Sequence, residues 1–427
     1  MRETAKWFPP QPGTFLTRCV FPGARDDYPC FMNLLRGDPP MKQYLSFVLT
    51  AGAALLTACG DQPTQPRSYG VGPSPTTLPR RDVDSDARPA GGVYVSTNGA
   101  NGNAIVAFAR RENGVLEKLG EFSTGGFGIG GGGDPLQSQG SVVVSPSHQT
   151  LFVVNAGSNS ISVFAIDNGA APHLVGSVSS LGSGPISLAV TDERLFVLNQ
   201  DNSVAAYSIA GPGLPTPLGQ LSLGTAADGP STINASGDGH FVFVTERAAG
   251  AIAVVAVDQH GTLASAGRRP SSGGGPFGFA VTSRNELIVS EAGAGAVSSY
   301  KFAGGALSVV TGSLSTQQAA PCWLVLSNDE RFAFVANAGS GSIGGFAVSS
   351  DGTLTPLSSD GRTGVTNGSA ATPLDIQVTR DGKYLYVLQT GAGTVGSFAI
   401  GAQGSLTTLP DTPGLAPVAG FQGLAAF

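Results

Sequence analysis

The stretch Leu151-Phe-Val-Val-Asn155, followed by a turn of small residues and by Ile161-Ser-Val-Phe-Ala-Ile166, is one copy of a unit that recurs along the chain. The pattern returns at Leu195–Asn199, Phe241–Glu246, Leu287–Glu291, Ala333–Asn337 and Leu385–Gln389, and a longer first copy runs from Val93 to Phe108. Copies begin roughly 40 to 50 residues apart, a period that is typical of propeller blades rather than of short solenoid coils. The seven copies therefore predict seven blades.

Each copy has the composition of four β-strands. Apolar runs of about four to six β-branched and aromatic residues alternate with Gly, Asp, Asn and Ser. Pairs such as Asn113-Gly114 and Asp351-Gly352 mark tight hairpins, because glycine supplies the positive φ that these turns need. The pattern predicts an all-β fold built from four-stranded blades.

The two ends of the repeat region complement each other. The first copy opens at Gly91 with a second strand, and no inner strand precedes it. Gly420–Phe427 has the composition of an inner strand, and no second strand follows it. Pairing this last strand with the first copy would close the ring and leave no open sheet edge. The sequence thus predicts a closed seven-bladed β-propeller over residues 91–427.

The segment before the repeats divides into three parts. Met41–Cys59 has one positive charge, an apolar core and small residues before a cysteine, as a secretory signal has. Leu56-Thr-Ala-Cys59 resembles a bacterial lipobox, so we expect a lipid on Cys59 and a protein anchored in the bacterial cell envelope, facing the periplasm or the surface. Residues 1–40 are then a mis-assigned, disordered start, and the Pro-rich residues 60–90 predict a disordered tether.

Charge and short motifs exclude several classes of function. The chain has 29 Asp and Glu against 23 Lys and Arg, which argues against nucleic acid and leaves membrane contact to the lipid anchor. No GxSxG, HExxH, CxxC or EF-hand pattern occurs, so we expect no metal and no cofactor. Gly125–Asp134 contains a GxGxxG match, but it lies between strands and precedes no helix. We interpret it as an inter-blade loop.

Polar residues end the second strand of six consecutive copies: Asn155, Asn199, Glu246, Glu291, Asn337 and Gln389. In a propeller these strand ends meet at one rim, so we expect them to surround the channel mouth. Glu246 and Glu291 come from adjacent blades, and two close carboxyls can share a proton and divide acid from base roles. Arg247 would supply a cation as a third catalytic residue. The same amides and acids could instead satisfy turn amides.

Two further residues lie just inside the openings of inner strands on this rim. Asp375 and Trp323 could line a ligand pocket, and Trp323 could equally be inter-blade packing. All four histidines fall in turns of the opposite rim: His148, His173, His240 and His260. We therefore expect ligand binding on the rim that carries the strand-end amides and acids.

The copy at Pro373–Phe398, with Asp381-Gly-Lys-Tyr-Leu-Tyr-Val387 at its centre, resembles the lactonase-type seven-bladed propellers. These include the propeller type of bacterial 6-phosphogluconolactonase and the muconate-lactonizing cycloisomerases. The resemblance implies hydrolysis of a lactone on the channel-mouth rim. In this family Arg and His follow the proline that opens an inner strand, whereas Pro185, Pro230, Pro276 and Pro321 open strands here without them. The position of the family's acidic residue aligns with Arg247 of this chain rather than with Glu246.

Two functions are consistent with these features. One is an exported lactone hydrolase, expected to be a monomer, that acts on a lactone of a sugar or a related cyclic ester. The other is a non-catalytic cell-surface propeller that binds a sugar, a peptide or a protein on its rim. A phosphorylated lactone fits poorly, because the rim lacks the cations that clamp phosphate.

Overall fold

The structure is a computed structural model that describes residues 88–210, 213–366, 368–417 and 419–427. Regular structure in these ranges is β-strand, apart from the single-turn 3₁₀ helices Ala226–Asp228 and Ser369–Ala371. Neither of these turns has the length or the apolar composition that a membrane-crossing helix needs, and the described residues contain no other helix. The predicted signal segment, its lipid site Cys59 and almost all of the predicted tether lie outside the described residues.

The strands form seven sheets, each of which is one blade. Blade 1 contains β1 (Gly91–Ser96), β2 (Ala104–Arg110) and β3 (Leu116–Ser123). Blade 2 contains β4 (Val142–Val144), β5 (Thr150–Asn155), β6 (Ser160–Ile166) and β7 (Pro172–Ser179). Blade 3 contains β8 (Pro185–Val190), β9 (Arg194–Asn199), β10 (Ser203–Ser208) and β11 (Thr216–Ser222). Blade 4 contains β12 (Pro230–Ala235), β13 (Phe241–Glu246), β14 (Ala251–Val257) and β15 (Leu263–Pro270). Blade 5 contains β16 (Pro276–Val281), β17 (Glu286–Glu291), β18 (Ala296–Ala303) and β19 (Ala306–Ser315). Blade 6 contains β20 (Pro321–Leu326), β21 (Phe332–Asn337), β22 (Ser342–Val348), β23 (Leu354–Pro356) and β24 (Gly364–Val365). Blade 7 contains β25 (Pro373–Val378), β26 (Tyr384–Gln389), β27 (Thr394–Ile400) and β28 (Leu406–Pro413).

The last strand, β29 (Gln422–Ala426), completes blade 1. It lies antiparallel to β1 and pairs Ala426 with Val93 and Leu424 with Val95. The order in that sheet is β29-β1-β2-β3, so the innermost strand comes from the C-terminus. This confirms the predicted all-β, seven-bladed ring and its closure by the C-terminal strand.

Burial falls from the channel side of each blade to its outer edge. Second and third strands such as β9 and β10 are almost wholly buried, because neighbouring blades cover both of their faces. Fourth strands alternate or are mostly exposed, as in β7 and β11. The apolar core therefore lies between blades, where residues such as Phe152, Tyr207 and Phe243 have no exposed surface.

Blade 2 departs from the repeat at its innermost strand. The apolar run of this copy is Gly140-Ser-Val-Val-Val-Ser145, but β4 covers only Val142–Val144, and Gly140 has a φ of 78°. The connection before it, residues 124–141, has 18 residues, whereas the other connections between blades have five to eight. This long connection reaches the channel mouth and shapes the site described below.

Candidate functional site

The six strand-end residues lie where the sequence predicts them, at the ends of β5, β9, β13, β17, β21 and β26. All six are fully buried: Asn155, Asn199, Glu246, Glu291, Asn337 and Gln389. Asn155 shows what this burial means. Its Oδ1 accepts hydrogen bonds from Asn103 Nδ2 (3.0 Å) and Thr124 Oγ1 (2.8 Å) of the preceding blade, and its Nδ2 donates to Ser162 Oγ (2.7 Å). The Asn155 side chain therefore links two blades.

Glu246 makes the same kind of contact with charged partners. Its Oε1 accepts hydrogen bonds from Asn202 Nδ2 of blade 3 and from Arg268 Nη2, both at 2.7 Å. Arg268 also pairs with Asp228 Oδ2 at 3.0 Å. Burial raises the pKa of Glu246, and the bonds from Asn202 and Arg268 oppose that rise. Glu246 thus belongs to an ion-pair network between blades 3 and 4.

Glu291 lies in the next interface and is held by neutral donors. Its Oε1 accepts from Gly273 N and Ser298 Oγ at 2.7 Å, from Ser271 Oγ at 3.0 Å and from Tyr300 OH at 3.2 Å. In the part of the chain that the structure describes, Glu246 and Glu291 have no hydrogen-bond partner in common. The two glutamates are thus held by separate sets of partners, and their catalytic role stays a prediction.

The end of the long connection, residues 134–141, crosses the channel mouth, and we call it the mouth segment. Gln139 Nε2 donates to Leu324 O (2.7 Å) and Gln139 Oε1 accepts from Leu324 N (2.8 Å), so this side chain binds the innermost strand of blade 6 like an extra strand residue. Trp323 Nε1 donates to Ser138 O at 2.8 Å. The segment leads into blade 2, yet it is tied to the inner strand β20 of blade 6.

Trp323 helps to hold the mouth segment against blade 6. The side chain is buried, and its ring packs edge-on against Phe277, with 5.2 Å between the ring centroids. A buried indole N–H needs an acceptor, and the mouth segment supplies one. Trp323 therefore supports the mouth from below, next to the inner strand of blade 5.

Five polar residues converge where the mouth segment lies, and we call them the mouth cluster: Asp134, Gln137, Arg247, Asp375 and Gln422. Arg247 donates a hydrogen bond to Gln137 Oε1. Asp134 Oδ1 accepts from Gln137 N at 2.9 Å. Gln422 Nε2 donates to Ser138 O at 3.3 Å, and the Gln422 side chain lowers the pKa of both carboxyls of the cluster. The cluster unites residues from blade 4, blade 7, β29 and the mouth segment.

The two carboxyls of the cluster have shifted pKa values. Burial raises the pKa of Asp134 to about 6, against the opposing effects of Gln422, Gln137 N and the charge of Arg247. Burial raises the pKa of Asp375 to about 7, and the nearby charge of Asp134 adds to that rise. Asp375 accepts from Gly140 N at 3.2 Å and from Gly423 N at 2.8 Å, which limits the shift.

Below the mouth segment the channel holds a cavity of about 280 Å³. It is lined by the innermost strands of the blades, with Gly140 and Asp375 towards the mouth and Ser145 and His148 towards the opposite rim. The buried face of Asp375 therefore borders the channel interior, whereas the half-buried Asp134 lies on the mouth side.

Of the predicted residues, Arg247, Asp375 and Trp323 belong to or directly support this mouth, whereas the strand-end residues lie between blades. The sequence interpretation missed Asp134, because it treated Gly125–Asp134 as an inter-blade loop. A signal was available in the length of the first connection, which exceeds all the others in the described chain.

Comparison with known proteins agrees with this architecture. A family model described as "Lactonase, 7-bladed beta-propeller" matches residues 101–219, 216–292 and 287–417. No curated protein matches the chain.

Two solved structures share the fold at low sequence identity. A candidate 6-phosphogluconolactonase from Bacteroides fragilis is 17% identical and covers 83% of this chain and 100% of its own, with a TM-score of 0.63. The periplasmic gluconolactonase of Pseudomonas aeruginosa is 18% identical and covers 79% of this chain and 98% of its own, with a TM-score of 0.58. Identities this low support only the shared fold, so the chemistry has to be argued from the residues of the site.

Proposed function

The chain belongs to the lactonase family of seven-bladed β-propellers, and we propose that it hydrolyses a lactone at the channel mouth. One observation carries the proposal. The mouth segment brings the Asp134 carboxyl and the Arg247 guanidinium together through their shared partner Gln137, and Gly140 N of the same segment donates to Asp375. Burial raises the pKa of Asp134 to about 6 and that of Asp375 to about 7. Carboxyls whose environments move their pKa values towards neutrality are candidates for acid–base work.

The roles follow from exposure. Asp134 is half-buried, so it is the carboxylate that water can reach. Asp375 is fully buried and holds the mouth segment through Gly140 N. Asp134 is therefore the proposed general base, and Asp375 is a positioning residue.

The proposed reaction needs only water and the lactone. Asp134 removes a proton from water while the water oxygen bonds to the carbonyl carbon, and the carbonyl π pair moves to its oxygen. Arg247 stabilises that oxyanion. When the carbonyl re-forms, the bond from carbon to the ring oxygen breaks, and the departing alkoxide takes the proton from Asp134. The product is the open-chain hydroxy acid.

The composition of the cluster favours an unphosphorylated substrate. Arg247 is the one cation of the mouth cluster, and it already binds Gln137 and acts on Asp134. A phosphate at neutral pH carries nearly two negative charges and is usually met by several donors. We therefore propose a neutral sugar lactone rather than a phosphosugar lactone.

The proposed location is the bacterial cell envelope. Its support is the lipobox Leu56-Thr-Ala-Cys59 and the apolar stretch before it. Intact mass of the membrane-fraction protein should show a chain that begins at Cys59, lacks Met1–Ala58 and carries a diacylglyceryl group. A soluble protein that begins at Met1 would contradict this location.

The activity is tested with a panel of five- and six-membered sugar lactones, with and without phosphate, followed by acid release in a pH-stat. Asp134→Asn and Arg247→Gln should each lower kcat/KM by about 10²-fold or more, since each removes a group that acts in the transition state. The matched control is Glu291→Gln, which alters a buried carboxyl outside the mouth cluster. Retained turnover in Asp134→Asn together with loss in Glu291→Gln would move the site to the strand-end ring.

A second function has a specific observation behind it. The mouth segment is fastened to β20 by the paired bonds of Gln139 with Leu324, and to Asp375 by Gly140 N. A mouth closed in this way suits a propeller that binds a sugar, peptide or protein on its outer rim without turnover. Saturable binding of a lactone or sugar with no acid release, by both the wild type and Asp134→Asn, would favour that alternative.

A further inference from the structure

The guanidinium of Arg247 is already occupied by a side chain of the mouth segment. Arg247 directly follows Glu246, the last residue of β13, and its backbone N donates to Gly229 O at 2.7 Å. Its side-chain Nη2 donates to Oε1 of Gln137. The proposed hydrolysis needs the same guanidinium for the oxyanion of the lactone, so the carboxamide oxygen of Gln137 lies where that oxyanion has to bind.

The Gln137 side chain can leave Arg247 without moving the mouth segment. Gln137 is exposed to solvent, and it is the backbone N of this residue that donates to Asp134 Oδ1, at 2.9 Å. Other attachments hold the segment in place, and they are Ser138 O with Trp323, Gln139 with Leu324, and Gly140 N with Asp375. Rotation of the Gln137 carboxamide into water therefore breaks its bond to Arg247 and leaves all of these intact.

Gln139, two residues further on, shows what a fixed glutamine looks like on the same segment. Both ends of its carboxamide are used, because Nε2 donates to Leu324 O at 2.7 Å and Oε1 accepts from Leu324 N at 2.8 Å. Gln139 is also half-buried, whereas Gln137 is exposed. Of the two glutamines, Gln137 is the one that can exchange its partner for a ligand.

Charge decides which oxygen binds Arg247 more strongly. A carboxamide oxygen is a neutral acceptor, whereas an oxyanion or a carboxylate forms shorter and stronger hydrogen bonds with a guanidinium. A carboxylate can also accept from two parallel N–H groups of one arginine. In the proposed reaction the lactone enters as a neutral ester and leaves as a carboxylate. Without a competitor, Arg247 would therefore hold the product more tightly than the substrate, and slow product release limits turnover in many enzymes.

We propose that Gln137 is a displaceable ligand of Arg247 that opposes binding of the product carboxylate. Charge that develops on the lactone oxygen displaces Gln137 Oε1, and the carboxamide returns to the guanidinium as the acid leaves. Asp134 aids this departure, because its carboxylate lies in the same cluster and repels the charge of the product. This role rests on the proposed function and makes Gln137 the residue that favours an uncharged ester over an acid at the mouth.

Product affinity is measured by isothermal titration of the full chain at pH 7 and constant ionic strength. The probe is D-gluconate, an open-chain hydroxy acid, and sorbitol, a polyol of the same length without a carboxylate, is titrated in parallel. Gln137→Ala should bind gluconate about threefold or more tightly than the wild type, with no matching gain for sorbitol. Gln137→Glu places a carboxylate beside Arg247 and should bind gluconate more weakly than the wild type.

The matched control is Gln317→Ala. Gln317 is also exposed and also has a left-handed backbone, with a φ of 56° against 51° for Gln137, but it lies between β19 and β20 and outside the mouth cluster. Equal gluconate affinity of Gln137→Ala and Gln317→Ala would overturn the proposal. The absence of saturable gluconate binding to both the wild type and Gln137→Ala would overturn it as well.

Lactone turnover separates this role from the hydrolysis itself. If the wild type released acid from none of the lactones while Gln137→Ala bound gluconate more tightly, the hydrolase would be refuted and the displaceable contact supported. If the wild type released acid and gluconate inhibited Gln137→Ala and Gln317→Ala equally, the hydrolase would stand and the role of Gln137 would be refuted.

Discussion

Deleting Gly420–Phe427 should open the propeller ring, because among the strands of the described residues β29 alone joins the end of the chain to its first blade. It pairs with β1 from Val93 to Ser96 and forms the channel-side edge of blade 1. In the deleted segment Gly423 N also donates to Asp375, and Phe427 O accepts from Arg110. Its loss would leave β1 as an open edge next to the channel.

The size of the effect can be worked out from the contacts. The four register pairs between β29 and β1 correspond to about four backbone hydrogen bonds, worth about 1 kcal/mol each. Buried Phe421 and Leu424 contribute about 2 kcal/mol each, and buried Ala425 and Ala426 about 0.8 kcal/mol each. The total is about 10 kcal/mol, which is comparable with the whole unfolding free energy of a typical domain, about 5–15 kcal/mol.

The deletion should therefore give a protein that aggregates or elutes as oligomers on size-exclusion chromatography. Leu424→Ala provides a graded version and should cost about 2–5 kcal/mol, read from the urea midpoint. The matched control removes eight residues, 68–75, from the segment that the sequence predicts to be a tether. A deletion of Gly420–Phe427 that stays monomeric and melts within a few degrees of this control would refute the closure argument.

Three further predictions concern single side chains. Burial raises the pKa of Asp375 to about 7, so between about pH 4 and 7 the folded chain keeps a proton that the unfolded chain has released. The wild type should therefore lose stability relative to Asp375→Asn as the pH rises from about 4 to 7. The difference between their urea midpoints measures this loss. Arg268→Gln leaves the buried Glu246 without its cation and should cost about 3 kcal/mol, whereas Arg269→Gln should cost under about 1 kcal/mol in the same chemical denaturation. Gln139→Ala removes both bonds to β20 and should cost about 1–3 kcal/mol, with faster amide hydrogen exchange in the mouth segment; unchanged exchange would show that the segment is held by other contacts.

The fold could be predicted from the sequence because its determinants are local and repeated. The apolar run Leu151–Asn155 becomes β5, and the turns after the third strands of five blades contain glycines with positive φ, such as Gly114 (80°) and Gly352 (88°). Closure was also predictable, since a strand missing at one end of a periodic array and present at the other leaves one pairing that completes every blade. The observed register of Val93 with Ala426 follows from that pairing.

The direction of the strand-end side chains could not be predicted in this way. Periodicity places Glu246 at the end of a second strand, but its partners are Asn202 from the preceding blade and Arg268 from the outer strand of its own blade. Whether a polar side chain in a repeat faces the channel or an inter-blade interface depends on the hydrogen-bond partners that the neighbouring repeat provides. Polar residues in equivalent places on successive blades are therefore as consistent with a belt of inter-blade hydrogen bonds as with a binding ring.

The mouth segment shows where a repeat protein departs from its own pattern. The glycines of residues 125–133 allow many backbone conformations, so no local rule sets the path of the connection. That path is set by distant partners, Leu324 and Trp323 of blade 6, to which the chain is tied more than 180 residues later in sequence. The burial that raises the pKa of Asp134 exists only because the segment lies over the mouth. In a fold whose other connections need five to eight residues, an 18-residue connection marks the place where polar residues can be brought to the channel axis. Candidate catalytic groups in such a propeller should therefore be sought first at the blade junction that breaks the repeat, and only then among the positions that keep it.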